Sequence, residues 1–241
     1  MIAAVVFAGG TGVRMNTRTK PKQFLEVHGK PIIIYTLEHF EQHPLVDCIS
    51  VVCVPGWEKQ LEHEIERHYI HKVKWLVTGG ETVQKSAYNG LKAVYEDCPN
   101  PEETIVIMHD GVRPLIHEQL ITDNIETTKK YGSSITVSYA TETICSVNDQ
   151  GVIEHIADRS RARIAKAPQC FYLDKLMEAH LRAREEGIDW MIDSASLMQH
   201  YGHKLHSVAG SSYNVKITTP SDYYIFRALL EVEENSQIFG L

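Results

Sequence analysis

Ile2-Ala3-Ala4-Val5-Val6-Phe7-Ala8-Gly9-Gly10-Thr11-Gly12-Val13-Arg14-Met15, closed by Pro21-Lys22-Gln23-Phe24, decides how this chain is read. The apolar run does not alternate with polar residues, so it predicts a strand covered on both faces, as in a parallel sheet. A glycine-rich turn straight after such a strand lets the backbone approach phosphate oxygens and aim N–H groups at them. Arg14 and Lys22 add two cations to that turn, which suits a triphosphate. The turn is not a P-loop, because it lacks G-x-x-x-x-G-K-[ST]. It also fails the dinucleotide pattern G-x-G-x-x-G, because Met15 stands at the third glycine.

Working outward, strand-like runs recur at Ile49–Val54, Trp75–Val77, Thr104–Met108 and Ser134–Ser138. Amphipathic helical patterns lie between and around them, at about 31–43, 57–71, 82–97 and 117–131. This alternation predicts an α/β fold, Rossmann-like, with a mostly parallel twisted sheet and helices on both faces. Ligands of such sheets bind beyond the carboxyl ends of the strands. The glycine turn, Gly79-Gly80 and His109-Asp110-Gly111 all fall there. From about 140 to 172 the rhythm breaks. Thr143–Val147 and Val152–Ile156, joined through Asn148-Asp149-Gln150-Gly151, predict a hairpin that protrudes as a β-arm. Helices follow at about 173–187 and 193–201, then a last strand at about 213–217 and a final helix at about 220–234. Thr219 and Pro220 start that helix. Residues 1–241 are expected to form one domain with this arm appended.

The chain has 241 residues, 43% of them hydrophobic, and a net charge of −7. Acidity of that size argues against a broad surface for nucleic acid or anionic membrane. No apolar run approaches the ~20 residues of a membrane helix. The N-terminal run has no basic stretch before it and so does not read as a signal peptide. The five cysteines form no C-x-x-C pair and are odd in number, which predicts reduced thiols and a cytoplasmic setting.

Three further groups carry chemistry. Asp110, next to a buried strand, is placed to hold Mg²⁺, a hard cation that takes carboxylate and phosphate oxygens; the alternative is a cap on the following turn. Lys216 lies in an apolar stretch, Val215-Lys216-Ile217, where an ammonium needs an anion, either a ligand phosphate or Asp110 itself. Arg113 is positioned for Asp110 or for a substrate phosphate. Arg159, Arg161 and Arg163 alternate along the return of the arm and present guanidinium forks to a second phosphate or to solvent. The histidines show no zinc-like spacing.

Ala8-Gly9-Gly10-Thr11-Gly12-x-Arg14-Met15, Pro21-Lys22-Gln23-Phe24-Leu25, Gly79-Gly80, His109-Asp110-x-x-Arg113-Pro114, Ala167-Pro168-Gln169-x-Phe171, Asp193-x-Ala195-Ser196 and Asn214-x-Lys216-Ile217-Thr218-x-Pro220-x-Asp222 occur in that order. Together they resemble the cytidylyltransferases that act on 2-C-methyl-D-erythritol 4-phosphate or D-ribitol 5-phosphate. The resemblance implies CMP transfer from CTP to a sugar-alcohol phosphate, release of pyrophosphate, use of Mg²⁺, and a homodimer joined through the arm. It implies that Ala8, Gly9, Gly10, Thr11, Gly12, Arg14 and Lys22 bind the triphosphate, with Gly80 and Ser86 near cytosine and ribose. Asp110 would hold the metal, with Gly111 beside it on the nucleotide side, and Lys216 would bind the reacting phosphate. Arg113 would bind the acceptor, and Thr143 and Arg159 would reach the acceptor of the neighbouring subunit.

The chain departs from the family pattern in three places. Thr82-Val83-Gln84-Lys85 stands where relatives carry an arginine, with Lys85 a shifted substitute. Ala167 replaces a threonine before Pro-Gln. Gly111 stands where alanine is common, a change expected to be harmless. Two other readings remain open on the residues alone: an NAD(P)-linked reductase built on the first turn, and a nucleotide-binding module without catalysis.

Overall fold

The first apolar run forms β1 (Ile2–Ala8), flanked by parallel strands on both sides near the middle of a seven-stranded sheet. A computed structural model describes residues 1–9 and 20–239, apart from the side chains of 234 and 236–239. After β1 come a short ribbon, β2 (Glu26–Val27) and β3 (Lys30–Pro31), then α1 (Ile32–Gln42), β4 (Cys48–Cys53), α2 (Glu58–Arg67), β5 (Val73–Thr78) and α3 (Val83–Glu96). The middle of the chain gives β6 (Ile105–Asp110), α4 (Glu118–Tyr131), β7 (Ser133–Tyr139), β8 (Cys145–Val147), β9 (Ile153–Ile156) and β10 (Arg163–Tyr172). It closes with α5 (Leu173–Glu185), α6 (Ser194–His200), β11 (Ser207–Ala209) and α7 (Pro220–Phe239).

The sheet runs β11-β7-β10-β6-β1-β4-β5, and β10 alone is antiparallel to its neighbours. The unbroken apolar strands follow from burial on both faces. Ala4, Val6 and Ala8 pack into one cluster with Ile33, Leu37 and Ile121; Ala3 and Val5 pack into another with Leu91, Leu176 and Leu197. Helices therefore cover both faces, as the alternating pattern predicts. Among the described residues, no helix is long and apolar enough to cross a membrane.

The hairpin of the arm is present, with β8 paired to β9 in a separate two-stranded sheet and Gly151 supplying the positive φ of +78° at the turn. The reach of the arm differs from the expected 140–172. Its return, 163–172, is a ten-residue strand inserted between β7 and β6, with its C-terminal half buried. The register with β7 breaks between Ala165 and Gln169, around Pro168, which has no N–H to give a ladder. The strand expected at 213–217 is also absent. The final strand is β11, and residues 213–217 run beside the sheet, tied by Ile217 N–H donating to Val112 O at 2.9 Å. The final helix starts as expected: Asp222 Oδ2 accepts from the N–H groups of Thr218 and Thr219, while Thr219 Oγ1 accepts from the Asp222 N–H.

Candidate active site

Strands β1, β4, β5 and β6 are parallel and end on one side of the sheet, so their last residues gather there. Ala8 ends β1, Asp110 ends β6, and Gly79-Gly80 follow β5. β1 lies between β4 and β6, where the strand order reverses, the position at which open α/β sheets leave a crevice. Two cavities open at this edge. The larger, about 540 Å³, is lined by Ala8, Gly9, Lys22, Gly79, Gly80, Ser86, Asp110 and Lys216, among others. The smaller, about 190 Å³, is lined by Asp110, Arg113, Lys166, Ala167, Gln169, Asp193 and Lys216, among others. Phe7, Val83, Asp110 and Lys216 belong to both walls, so an ion pair stands where the cavities meet.

That pair is tight. Lys216 Nζ donates to Asp110 Oδ1 at 2.5 Å, and Arg113 Nε donates to Asp110 Oδ2 at 2.8 Å. Burial alone opposes ionisation of Asp110. The two cations outweigh it and hold the carboxyl well below the usual carboxylate range. Lys216 does meet Asp110, as one of its two sequence readings requires, yet 39% of its side chain stays exposed, open to a phosphate.

Lys22 comes from the opposite end of the chain. The segment Lys22–Phe24 forms a single 3-10 turn after Pro21. Its ammonium donates to Ile217 O at 2.9 Å, one residue from Lys216, and the side chain is 8% exposed. Gln23, also buried, donates from Nε2 to Ala8 O at 2.5 Å, which ties the turn to the end of β1. Gly10, Thr11, Gly12 and Arg14 lie outside the described residues. Of the cations expected to gather, Lys22 and Lys216 share one cavity wall.

Gly80 and Ser86 fit together closely. The Gly80 N–H donates to Ser86 Oγ at 3.0 Å, and a Cβ at position 80 would lie 2.6 Å from Lys85 Cβ and 3.0 Å from its carbonyl carbon. Thr82 caps α3 by accepting from the Lys85 N–H, which fixes Ser86 in the first turn. Lys85, the expected shifted substitute for an arginine, does not line the larger cavity. It pairs with Glu81 at 2.9 Å and Asp189 at 3.3 Å, facing a third cavity bordered by Tyr88, His180 and Arg184. Spacing accounts for this, because one turn of helix carries residue 85 to the face beyond Glu81. Gly111 is closely packed. A Cβ there would lie 2.5 Å from Ile33 Cδ1 and 2.9 Å from Phe7 O, the carbonyl that accepts the Gly111 N–H.

Thr143 and Arg159 are exposed on the arm and border neither of these two cavities, so this chain's own fold does not bring them to Asp110. His109 is packed. It is fully buried, burial pushes it down to about 4, and its Nε2 therefore carries a proton toward Arg113 O at 3.1 Å. The sequence reading gave no role to Lys166 or to Gln169 individually. Gln169 accepts from Ala195 N–H and donates to Asp193, the N-cap of α6, building the far wall of the smaller cavity. The polar Gln169 inside a buried stretch was the available signal.

A cavity pair with Lys22, Arg113, Lys166 and Lys216 on its walls, at a sheet switch point, suits an α/β enzyme that handles phosphorylated ligands. The family model for 2-C-methyl-D-erythritol 4-phosphate cytidylyltransferase matches residues 2–232. Ribitol-5-phosphate cytidylyltransferase of Vibrio parahaemolyticus is 47% identical over 240 residues, covering 100% of both chains. 2-C-methyl-D-erythritol 4-phosphate cytidylyltransferase of Clostridium acetobutylicum is 37% identical, covering 96% of this chain and 98% of its own. The crystal structure of 4-diphosphocytidyl-2C-methyl-D-erythritol synthase from Anaerococcus prevotii superposes with a TM-score of 0.82 at 26% identity, covering 95% of this chain and 96% of that one. The chain belongs to this cytidylyltransferase family. It is a nucleotidyltransferase that moves CMP from CTP to a polyol phosphate.

Proposed function

We propose that the acceptor is D-ribitol 5-phosphate and that its phosphate meets CTP at the Asp110–Lys216 pair. The observation that carries the meeting point is the shared wall: Asp110 and Lys216 line both cavities. Support for ribitol comes from the relatives. Five relatives named for ribitol 5-phosphate are 39–47% identical to this chain, and three named for the methylerythritol phosphate are 34–37% identical.

CTP occupies the larger cavity, with its triphosphate toward Lys22 and the turn after β1 and its nucleoside toward Gly80 and Ser86. The acceptor phosphate enters the smaller one past Arg113. One of its oxygens attacks the α-phosphorus in line; an O–P bond forms, the bond to the β-phosphate oxygen breaks, and pyrophosphate leaves. A phosphate monoester is already a nucleophile, so no strong base is needed. The buried neutral His109, its proton committed to a carbonyl, is not one. The work falls to positioning two anions and neutralising charge that grows in the transition state.

Asp110 suits Mg²⁺ in its chemistry: a single ionised carboxylate at the wall, with phosphate oxygens to complete the shell. Among the described residues no cluster of three acidic, histidine or cysteine side chains forms a ready cage, which fits an ion that arrives with the triphosphate. Bound there, the ion would neutralise phosphate charge. The protein's share remains with Lys22, Arg113 and Lys216.

A homodimer is part of this proposal. Val147, Val152, Ile153 and Ile156 leave the arm with an exposed apolar surface, and Thr143 and Arg159 need another copy's cavity to reach an acceptor. The five unpaired thiols favour a reducing, cytoplasmic setting.

Incubation with CTP and Mg²⁺ and a panel of polyol phosphates, followed by pyrophosphate release, tests the acceptor. D-Ribitol 5-phosphate is expected to give the highest kcat/KM. A higher value with 2-C-methyl-D-erythritol 4-phosphate would reverse the assignment of acceptor and leave the transfer chemistry standing.

A further inference from the structure

We infer that Lys166 is a positioning residue, whose ammonium holds the loop before Lys216 so that Lys216 and Arg113 reach Asp110 together. The inference rests on the reading of Asp110 and Lys216 as the point where the two phosphates meet.

Residues 211–217 have no strand ladder to fix them. On one side the Ile217 N–H donates to Val112 O. On the other, side chains do the fastening. Lys166 Nζ donates to three carbonyls, those of Ser211 at 3.3 Å, Ser212 at 3.0 Å and Asn214 at 3.0 Å. Three carbonyls match the three N–H bonds of an ammonium, leaving none over. Asn214 O accepts a second bond, from Arg113 Nη1 at 3.0 Å, while the Asn214 side chain donates to Ala167 O at 2.7 Å. One carbonyl oxygen thus joins Lys166 to the guanidinium that holds Asp110, two residues before the lysine that holds its other oxygen.

Lys166 is free to do this because of the register break in β10. Pairing with β7 stops at Ala165 and resumes at Gln169, so Lys166 sits in the interruption and its side chain crosses to the loop. Its position on the wall of the smaller cavity admits a different role, direct contact with the acceptor. The two roles separate in kinetics. A positioning residue acts on the reacting centre and lowers kcat. A group that only touches the acceptor raises the acceptor's KM.

The test uses the full chain with Lys166→Met and Lys166→Arg. Three quantities are read: kcat and both KM values by pyrophosphate release, amide hydrogen exchange over residues 211–218, and the thermal midpoint. Lys166→Met is expected to lower kcat roughly 10- to 100-fold, the scale set by misplacing a reacting group by about 1 Å. The KM for CTP should hold, exchange over 211–218 should rise, and the thermal midpoint should move little. Lys166→Arg, which keeps a charged donor, should recover most of both kcat and protection. Unchanged exchange, a loosened loop with unaltered kcat, or a rise confined to the acceptor KM overturns the inference. Failure of the functional reading looks different. The unsubstituted chain would then release no pyrophosphate with any polyol phosphate, while the exchange measurement, which needs no substrate, would still decide whether Lys166 holds the loop.

Discussion

Lys216→Ala is expected to lower kcat for CMP transfer by about 10²–10³, or roughly 3–4 kcal/mol, the cost typical of losing one preorganised charge-stabilising group. The size of the effect follows from where the ammonium sits. It is the one cation bordering both cavities among the described residues, and it can reach the phosphates on both sides of the forming bond. Its removal also leaves Asp110 paired with Arg113 but not Lys216, so a carboxylate charge once held by two cations faces the negative charge that grows in the transition state. Both effects act at the transition state and should spare the KM for CTP. Lys216→Arg should recover only part of the rate, because a planar fork does not reproduce a point charge in this gap. Steady-state pyrophosphate release, paired with a CTP titration, checks this. Turnover within a few-fold of the unsubstituted chain would remove Lys216 from the reacting centre.

Lys22→Ala is expected to lose a comparable 10²–10³ in turnover while the chain still folds. Lys22 borders the larger cavity alone, so its effect should include weaker CTP binding, which distinguishes it from Lys216. Its bond to Ile217 O joins the turn near the N-terminus to the segment that carries Lys216, across 195 residues of sequence. Loss of that bond leaves the buried Ile217 carbonyl without this donor, at a cost of about 1–3 kcal/mol that a folded domain can bear, and the buried neighbours Gln23 and Phe24 keep the turn packed. Circular dichroism and a thermal melt establish folding, and pyrophosphate release gives the rate. A variant that folds normally and turns over at the original rate would exclude Lys22 from the mechanism.

Much of this site was legible because burial leaves a strong mark on sequence. Strands β1, β4 and β6 read as unbroken apolar runs, since both their faces are covered, and their ends located Gly9 and Asp110. A lysine between Val215 and Ile217 announced an anion nearby, and Asp110 is that anion. What escaped the sequence was structure held together by tertiary contact. β10 begins with Arg163, Ile164, Ala165 and Lys166, all wholly or partly exposed, and then contains Pro168, so its pattern reads as loop. β11 is three residues long, too short for any period to show. Residues 213–217 have the composition of a strand, but single bonds to Val112 and Ala167 replace a ladder. The crowding around Gly111 depends on Ile33, seventy-eight residues away in sequence, and no local pattern carries it. The direction of Lys85 was likewise settled by Asp189, beyond α5.

A structure of the chain with CTP and D-ribitol 5-phosphate bound together tests the shared wall most directly. The account predicts the triphosphate beside Lys22 and Gly80, the acceptor phosphate beside Arg113, and oxygens of both ligands within hydrogen-bond reach of Lys216 Nζ. Either ligand seated elsewhere, for instance between α3 and α5 against Tyr88 and Arg184, with Lys216 touching neither, would contradict it.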